Sequence, residues 1–206
     1  MTGPGLLFVV SGPSGAGKDT LVDGLLRSSS ALKYSVSATT RPPREGEREG
    51  EDYFFLTRAA FEEGMREGEF LETREYNGNL YGTPRGFIKQ TLAAGYDVVA
   101  KPEVNGALRV KAAFPDAVSI FILPDKFADL RRRLEARRTE TNAEIAARLA
   151  IAHEEVKSIR SFDYLVINAN EQYEAAIADL RAIVRAEKLR IHRYNDGRIQ
   201  AIVTAS

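Results

Sequence analysis

Gly12-Pro13-Ser14-Gly15-Ala16-Gly17-Lys18 decides how this chain is read. An apolar, β-rich run at residues 6–10, Leu-Leu-Phe-Val-Val, leads into it, and an amphipathic stretch carrying Leu21, Val22, Leu25 and Leu26 leads out. Strand, glycine loop, lysine and helix in that order form the layout of a phosphate-binding P-loop. Glycines let successive backbone N–H groups turn toward one anion. The helix start adds partial positive charge, and the lysine reaches the outer phosphates. The segment from Gly12 through Asp19 and Thr20 is therefore the expected nucleotide-binding loop. One residue is out of pattern. The position after the lysine usually holds Ser or Thr, whose hydroxyl meets Mg²⁺; here it is Asp19, with Thr20 one place late. A helix turns about 100° per residue, so Thr20 does not simply stand in.

Around this loop, the composition narrows the class. The chain has 206 residues and 44% hydrophobic content, which suits one globular domain with room for a small inserted subdomain. Lysine plus arginine and aspartate plus glutamate each number 29, so the formal net charge is zero and a nucleic-acid partner is not expected. The absence of cysteine excludes disulfides and thiolate metal sites and fits a reducing compartment. The first apolar run is far too short to span a bilayer, and no charged start with a signal-type apolar core precedes it. The expectation is a soluble cytoplasmic protein with no membrane partner.

Pattern reading predicts strands at 6–10, 34–37, 53–56, 70–76, 79–81, 96–100, 118–123 and 164–167, the last of them buried. It predicts helices at 18–27, 58–68, 85–94, 108–114, 127–138, 141–159 and 173–187. Thr141 with Glu144 resembles a capping box, and Asn77-Gly78 is a hairpin turn signal. Strands alternating with helices argue an α/β fold with a doubly wound parallel sheet. Residues 34–83 break that rhythm and read as a small antiparallel insertion. Within it, the loop at 39–52 sets Arg41, Arg44 and Arg48 among Glu45, Glu47, Glu49 and Glu51, the composition of a solvated connection. The core is then 1–33 plus 84–188. In the extension, 189–206, apolar stretches flank Asn195-Asp196-Gly197, so a β-hairpin is expected there, packed on the sheet edge or forming a subunit contact in a homodimer.

Several segments together resemble the guanylate kinase family: GPSGAGK, SVSATTRPPREGEREGEDY, FLE, NLYGTP, RRTET with AARL, and FDYLVIN, in family order from about Leu6 to Ala186. The resemblance implies a P-loop NTPase-type fold and a reversible, Mg²⁺-dependent transfer of the ATP γ-phosphoryl group to GMP, giving ADP and GDP. By resemblance, Lys18 with Gly12, Pro13, Ser14, Gly15, Ala16, Gly17, Asp19 and Thr20 binds ATP, and Arg137 and Arg148 are the phosphate-facing arginines of a helical lid at about 126–148. Arg41, Arg44, Tyr53 and Tyr81 are carried over to the GMP phosphate, and Ser37, Glu72, Gly82, Thr83 and Glu103 to the rest of the acceptor site. Lys18, Arg41, Arg137 and Arg148 make up the expected catalytic set. The chemistry agrees with these residue types. The acceptor phosphate is itself the nucleophile, so catalysis needs positioning and charge neutralisation rather than a Ser/His/Asp triad. Guanidinium forks suit a phosphate dianion, and a carboxylate suits the paired N1–H and N2 amino donors of guanine. Arg131, Arg132, Arg133 and Arg138 have no family counterpart and read as a solvated helix face.

Two departures fall together. Asp19 replaces the loop's hydroxyl residue, and Lys101 stands where the family commonly has an aspartate, with Glu103 near a second acid. Charge is exchanged between loop and strand, not simply lost. Asp19 is the expected metal contact, with Lys101 offsetting its charge. The Gly-Lys-Asp sequence also occurs in some bacterial relatives and in ribose bisphosphate kinases. A kinase of another phosphorylated acceptor, or a weakened guanylate-kinase-like binding domain, is therefore the competing reading.

Overall fold

The computed structural model describes residues 5–136, 141–170, 172–193, 200 and 203–204. Strand β1, Leu7–Ser11, is buried at every position and lies in the middle of a five-stranded parallel sheet. Its neighbours are β7 (Asp97–Ala100) and β8 (Val118–Leu123), with β2 (Leu32–Tyr34) beyond β7 and β9 (Tyr164–Ile167) beyond β8. Alternation along β1 sends Phe8 and Val10 into one core and Leu7 and Val9 into another. The first core packs helices α1 (Lys18–Arg27) and α7 (Tyr173–Lys188) through Leu21, Leu25, Ile177 and Leu180. The second packs α3 (Arg85–Ala93) and α4 (Val104–Ala113) through Ile88, Ala107 and Val110. Helices on both faces explain why the central strands are apolar on both sides. The doubly wound parallel sheet is as the alternation implies.

Four short strands make a second sheet in the order β4 (Tyr53–Phe55), β3 (Ser37–Thr39), β6 (Asn79–Pro84), β5 (Phe70–Tyr76). Helix α2, Arg58–Arg66, covers it; Phe61 stacks on Phe70 at 4.4 Å between centroids, beside Leu80 and Ala38. Asn77 has φ 49°, as the two-residue hairpin between β5 and β6 requires. The sheet is mixed: β3 runs parallel to β4 and antiparallel to β6. Tyr34 belongs to the parallel sheet, opposite Val99, so the second sheet begins after it and runs on to Pro84. The ladder, not the apolar run, sets that boundary.

Three other expectations are corrected. Strand β9 is an edge strand: Leu165 is 50% and Ile167 41% exposed, and only Val166 is buried. Helix α4 starts at Val104, before the first periodic leucine, because Glu103 already has the extended geometry of an N-cap. Among the described residues, the first arm of the expected C-terminal hairpin is not a strand: Ile191–Arg193 is a 3₁₀ turn. Arg190 and Arg193 both return to buried Glu187, which also accepts from the Tyr164 hydroxyl, and this winds the chain back onto α7. The turn at 195–197 lies outside the described residues. The long helix after the lid starts as read. In α6, Asn142–Val156, Thr141 and Glu144 form the reciprocal capping box.

Candidate active site

The loop after β1 opens at the carboxyl end of the parallel sheet, the usual ligand crevice of an open α/β fold. Its shape depends on glycine. At Gly12, φ is 142° and a Cβ would lie 2.2 Å from the Ile122 carbonyl; at Gly17, φ is 86° and a Cβ would lie 2.3 Å from the Asn168 amide nitrogen. Lys18, the first residue of α1, folds over the loop and donates to the carbonyls of Gly12 at 2.5 Å and Pro13 at 3.0 Å. Ser11 ties this strand end to the next, donating to the Pro102 carbonyl at 2.9 Å.

Two clefts meet here. One, about 350 Å³, is lined by Gly12, Ser14, Lys18, Arg74, Glu103 and Arg148 among others. The Arg148 guanidinium reaches Ser14 Oγ at 3.4 Å from α6. The other, about 410 Å³, is lined by Asp19, Tyr34, Ser37, Glu47 and Tyr53. Lys101 lines both. Its ammonium contacts Asp19 Oδ1 and sits 5.8 Å from the Tyr34 ring centroid. Burial first, and then neighbouring Lys18, pull the Lys101 ammonium down to about 8. Thr20 is exposed one place further round the helix.

On the second sheet, Tyr53 and Tyr81 meet edge-on at 6.1 Å, with the Arg41 guanidinium 5.5 Å from the Tyr53 ring. Arg41 is gripped by both oxygens of Glu47, at 2.7 and 2.9 Å, and the backbone N–H of Arg44 donates to the same carboxylate. The bond from Arg41 draws the Glu47 carboxyl below the usual range. The loop read as a solvated connection is thus folded on its own ion pair, although the Arg44 side chain is exposed. Ser37 sits opposite Tyr53, and Gly82 opposite Ala38. Glu72 is buried and accepts from Thr83 Oγ1 at 2.8 Å. Glu103 accepts from Arg74 at 3.2 Å.

Some participants escaped the sequence reading. Arg133, on α5 (Ala128–Glu135), is no solvated arginine. Its guanidinium donates to the carbonyls of Ala16 at 3.2 Å and Asn168 at 2.8 Å, and to the Asn170 side-chain oxygen. Asn168 donates to Ala16 as well, so the back of the phosphate loop is held by two side chains. Arg133 shares a face with buried Leu130 and Leu134, and helical spacing could have flagged it. Arg74 and Arg109, which surround Glu72 and Glu103, carried no motif. Arg137 lies outside the described residues.

The guanylate kinase family model matches residues 5–187. The chain belongs to the guanylate kinase family. It is 44% identical to a guanylate kinase of Clostridioides difficile over 192 residues, covering 93% of each chain. It is 47% identical to one of Thiobacillus denitrificans over 190 residues, 92% of this chain and 90% of that one. A crystal structure of guanylate kinase from Anaplasma phagocytophilum superposes with a TM-score of 0.78 at 30% identity, over 99% of this chain and 97% of that one. As a guanylate kinase, the protein is a nucleotide phosphotransferase on a P-loop fold, and the ribose bisphosphate and binding-domain alternatives fall away.

Proposed function

We infer that the γ-phosphoryl group of ATP passes to the phosphate of GMP at the junction of the two clefts, giving ADP and GDP. The observation that carries this is the position of Lys101 and Lys18. Lys101 lines both the loop cleft and the GMP-side cleft, Lys18 and Arg148 line the first, and Arg41 lies against the Tyr53 ring that lines the second.

Each residue has a physical task. Residues Gly12 to Gly17 present backbone N–H groups to the ATP phosphates, and Lys18 swings from its own loop carbonyls to the outer ones. Arg41 exchanges Glu47 for the GMP phosphate, with Arg44, Tyr53 and Tyr81 donating at the rim. Ser37, Glu72, Gly82, Thr83 and Glu103 form the acceptor wall, and Glu72 accepts from the guanine edge. Arg148, with Arg137 on the lid, spreads positive charge over the group in transfer. An arginine in that role contributes about 10³ to 10⁵ in rate. A lid that closes also keeps water from taking the phosphoryl group.

The residues present fit magnesium as the companion of ATP. Mg²⁺ is commonly held by one or two carboxylates completed by phosphate and water oxygens. Asp19 supplies one carboxylate beside the loop with its side chain 70% exposed, and no cluster of three acids or histidines is found among the described residues. When bound with ATP, the ion would neutralise charge on the phosphate oxygens. Asp19 would hold it, while Lys101 offsets the repulsion between this carboxylate and the phosphates. The absence of cysteine fits a reducing compartment and supports a cytoplasmic location.

The test is ADP formation from ATP across acceptors. Turnover is expected with GMP and Mg²⁺, and not with AMP, ribose phosphate or water alone. Equal turnover with AMP, or ATP hydrolysis without an acceptor, would overturn the assignment.

A further inference from the structure

We propose that Arg109 is a specificity-positioning residue: it fixes the Glu72 carboxylate so that its free edge accepts the two donors of guanine. The inference rests on Glu72 as the base reader, and it concerns a residue that no motif marks. Glu72 is buried on β5, its side chain 7% exposed. A carboxylate offers about two acceptor directions on each oxygen. Thr83 Oγ1 takes one on Oε1 at 2.8 Å, and the Arg109 guanidinium takes one on Oε2 at 3.4 Å. That leaves about one direction on each of the two oxygens. The N1–H and N2 amino donors of guanine are spaced for the two oxygens of one carboxylate.

The supporting frame is helix α4. Gly106, in its first turn, packs so close that a Cβ would lie 3.0 Å from Glu72 Oε2. Arg109 follows three residues later on the same helical face, so the glycine admits the carboxylate and the arginine binds it. Arg109 also reaches the Thr73 carbonyl at 3.5 Å and Glu103 Oε1 at 3.8 Å. Glu103 is the N-cap residue of α4, and its other oxygen is held by Arg74 at 3.2 Å. Arg109 is thus stretched between two acids and a strand carbonyl, with its own position fixed by the same helix that covers the base reader. Its side chain is 46% exposed, so its removal opens no cavity in the core.

Four variants test this: Arg109→Ala, Arg109→Lys, Glu72→Gln, and Arg109→Ala with Glu72→Gln. Steady-state kinetics with GMP and with inosine monophosphate, which lacks the 2-amino group, are read beside calorimetric binding of GMP. Arg109→Ala is expected to raise KM and Kd for GMP by about tenfold, the scale of a lost charge-assisted hydrogen bond, with kcat and the KM for ATP within about twofold. The KM for inosine monophosphate should rise less, so discrimination contracts. Arg109→Lys should recover part of the loss, and Arg109→Ala should add nothing in the Glu72→Gln background. An unchanged KM for GMP in Arg109→Ala, equal losses with both acceptors, or full additivity would overturn the proposal. If Glu72→Gln itself leaves discrimination intact, the base-reading role of Glu72 fails, and this inference with it. If Glu72→Gln contracts discrimination while Arg109→Ala is silent, only the positioning role is lost.

Discussion

Asp19 and Lys101 carry the least conventional chemistry in the site. An acid at the second position of α1 is favourable for the helix dipole but unfavourable beside incoming phosphates. A lysine at the end of β7 reverses the second effect, and the two side chains are in contact across 82 residues of sequence. Their effects should therefore be coupled. Asp19→Ser and Lys101→Asp are each expected to lower kcat and weaken Mg²⁺ dependence, while the double variant should retain more activity than the product of the singles. Interaction energies between contacting residues commonly reach about 0.5–3 kcal/mol, roughly 2- to 150-fold. Magnesium titration of nucleotide binding by calorimetry supplies a readout separate from turnover. A double variant no better than the product removes the idea of an exchanged pair. The anomaly at position 19 and its offset by Lys101 were both legible in the sequence; β1 and β7 lying side by side is what brings the two side chains into contact.

Among the elements, the start of β9 shows how polar side chains fix a sheet edge. Asp163 accepts from Ser119 N and Oγ at 2.8 and 2.7 Å and from Lys111 at 2.8 Å, so β8, β9 and the end of α4 meet at one carboxylate. Burial pushes this carboxyl up, but the bonds from Lys111 and Ser119 outweigh it and hold it below the usual range. A carboxyl lowered in the folded state stabilises fully above its unfolded value, near pH 4, and loses that contribution as pH falls through the folded value. Asp163→Ala is expected to cost about 1–3 kcal/mol at pH 7, mainly by stranding the buried Ser119 N–H. Urea unfolding of both proteins should show the gap narrowing between pH 5 and acid, on the order of pH 3. A gap that stays constant with pH would assign the effect to packing alone. Most elements were legible from periodicity, and β8 and β9 have the read boundaries. The exposure of β9 was not, because an apolar run reads alike in the middle and at the edge of a sheet.

At the scale of the molecule, the proposed donor and acceptor sites fall on two different sheets of one chain, joined after Tyr34 and after Pro84. Phosphoryl transfer needs reacting atoms about 3–3.5 Å apart and in line. Here Arg41 is held by Glu47 and Lys18 by its own loop, so under the proposed roles both residues exchange partners as the substrates arrive. Binding and closure are then coupled. GMP alone at about a hundred times its Kd should stabilise the fold by roughly 2.7 kcal/mol. GMP with ADP should raise the calorimetric melting temperature by more than the sum of the separate shifts. Strictly additive shifts would mean the two clefts do not communicate. No helix among the described residues is long and apolar enough to cross a membrane.

The sequence by itself determined the phosphate loop, the alternation that builds the parallel sheet, the hairpin at Asn77-Gly78 and the family reaction, because each is written in neighbouring residues or in helical and strand periods. Only the tertiary structure decided that Arg133 braces Ala16 across 117 residues, that Arg109 meets Glu72 across 37, that Glu47 occupies Arg41, and that the chain after α7 turns back on Glu187. Charged side chains of one type look alike along the chain. Which of them faces water and which meets a buried partner is set by the segments that the packed sheets bring together.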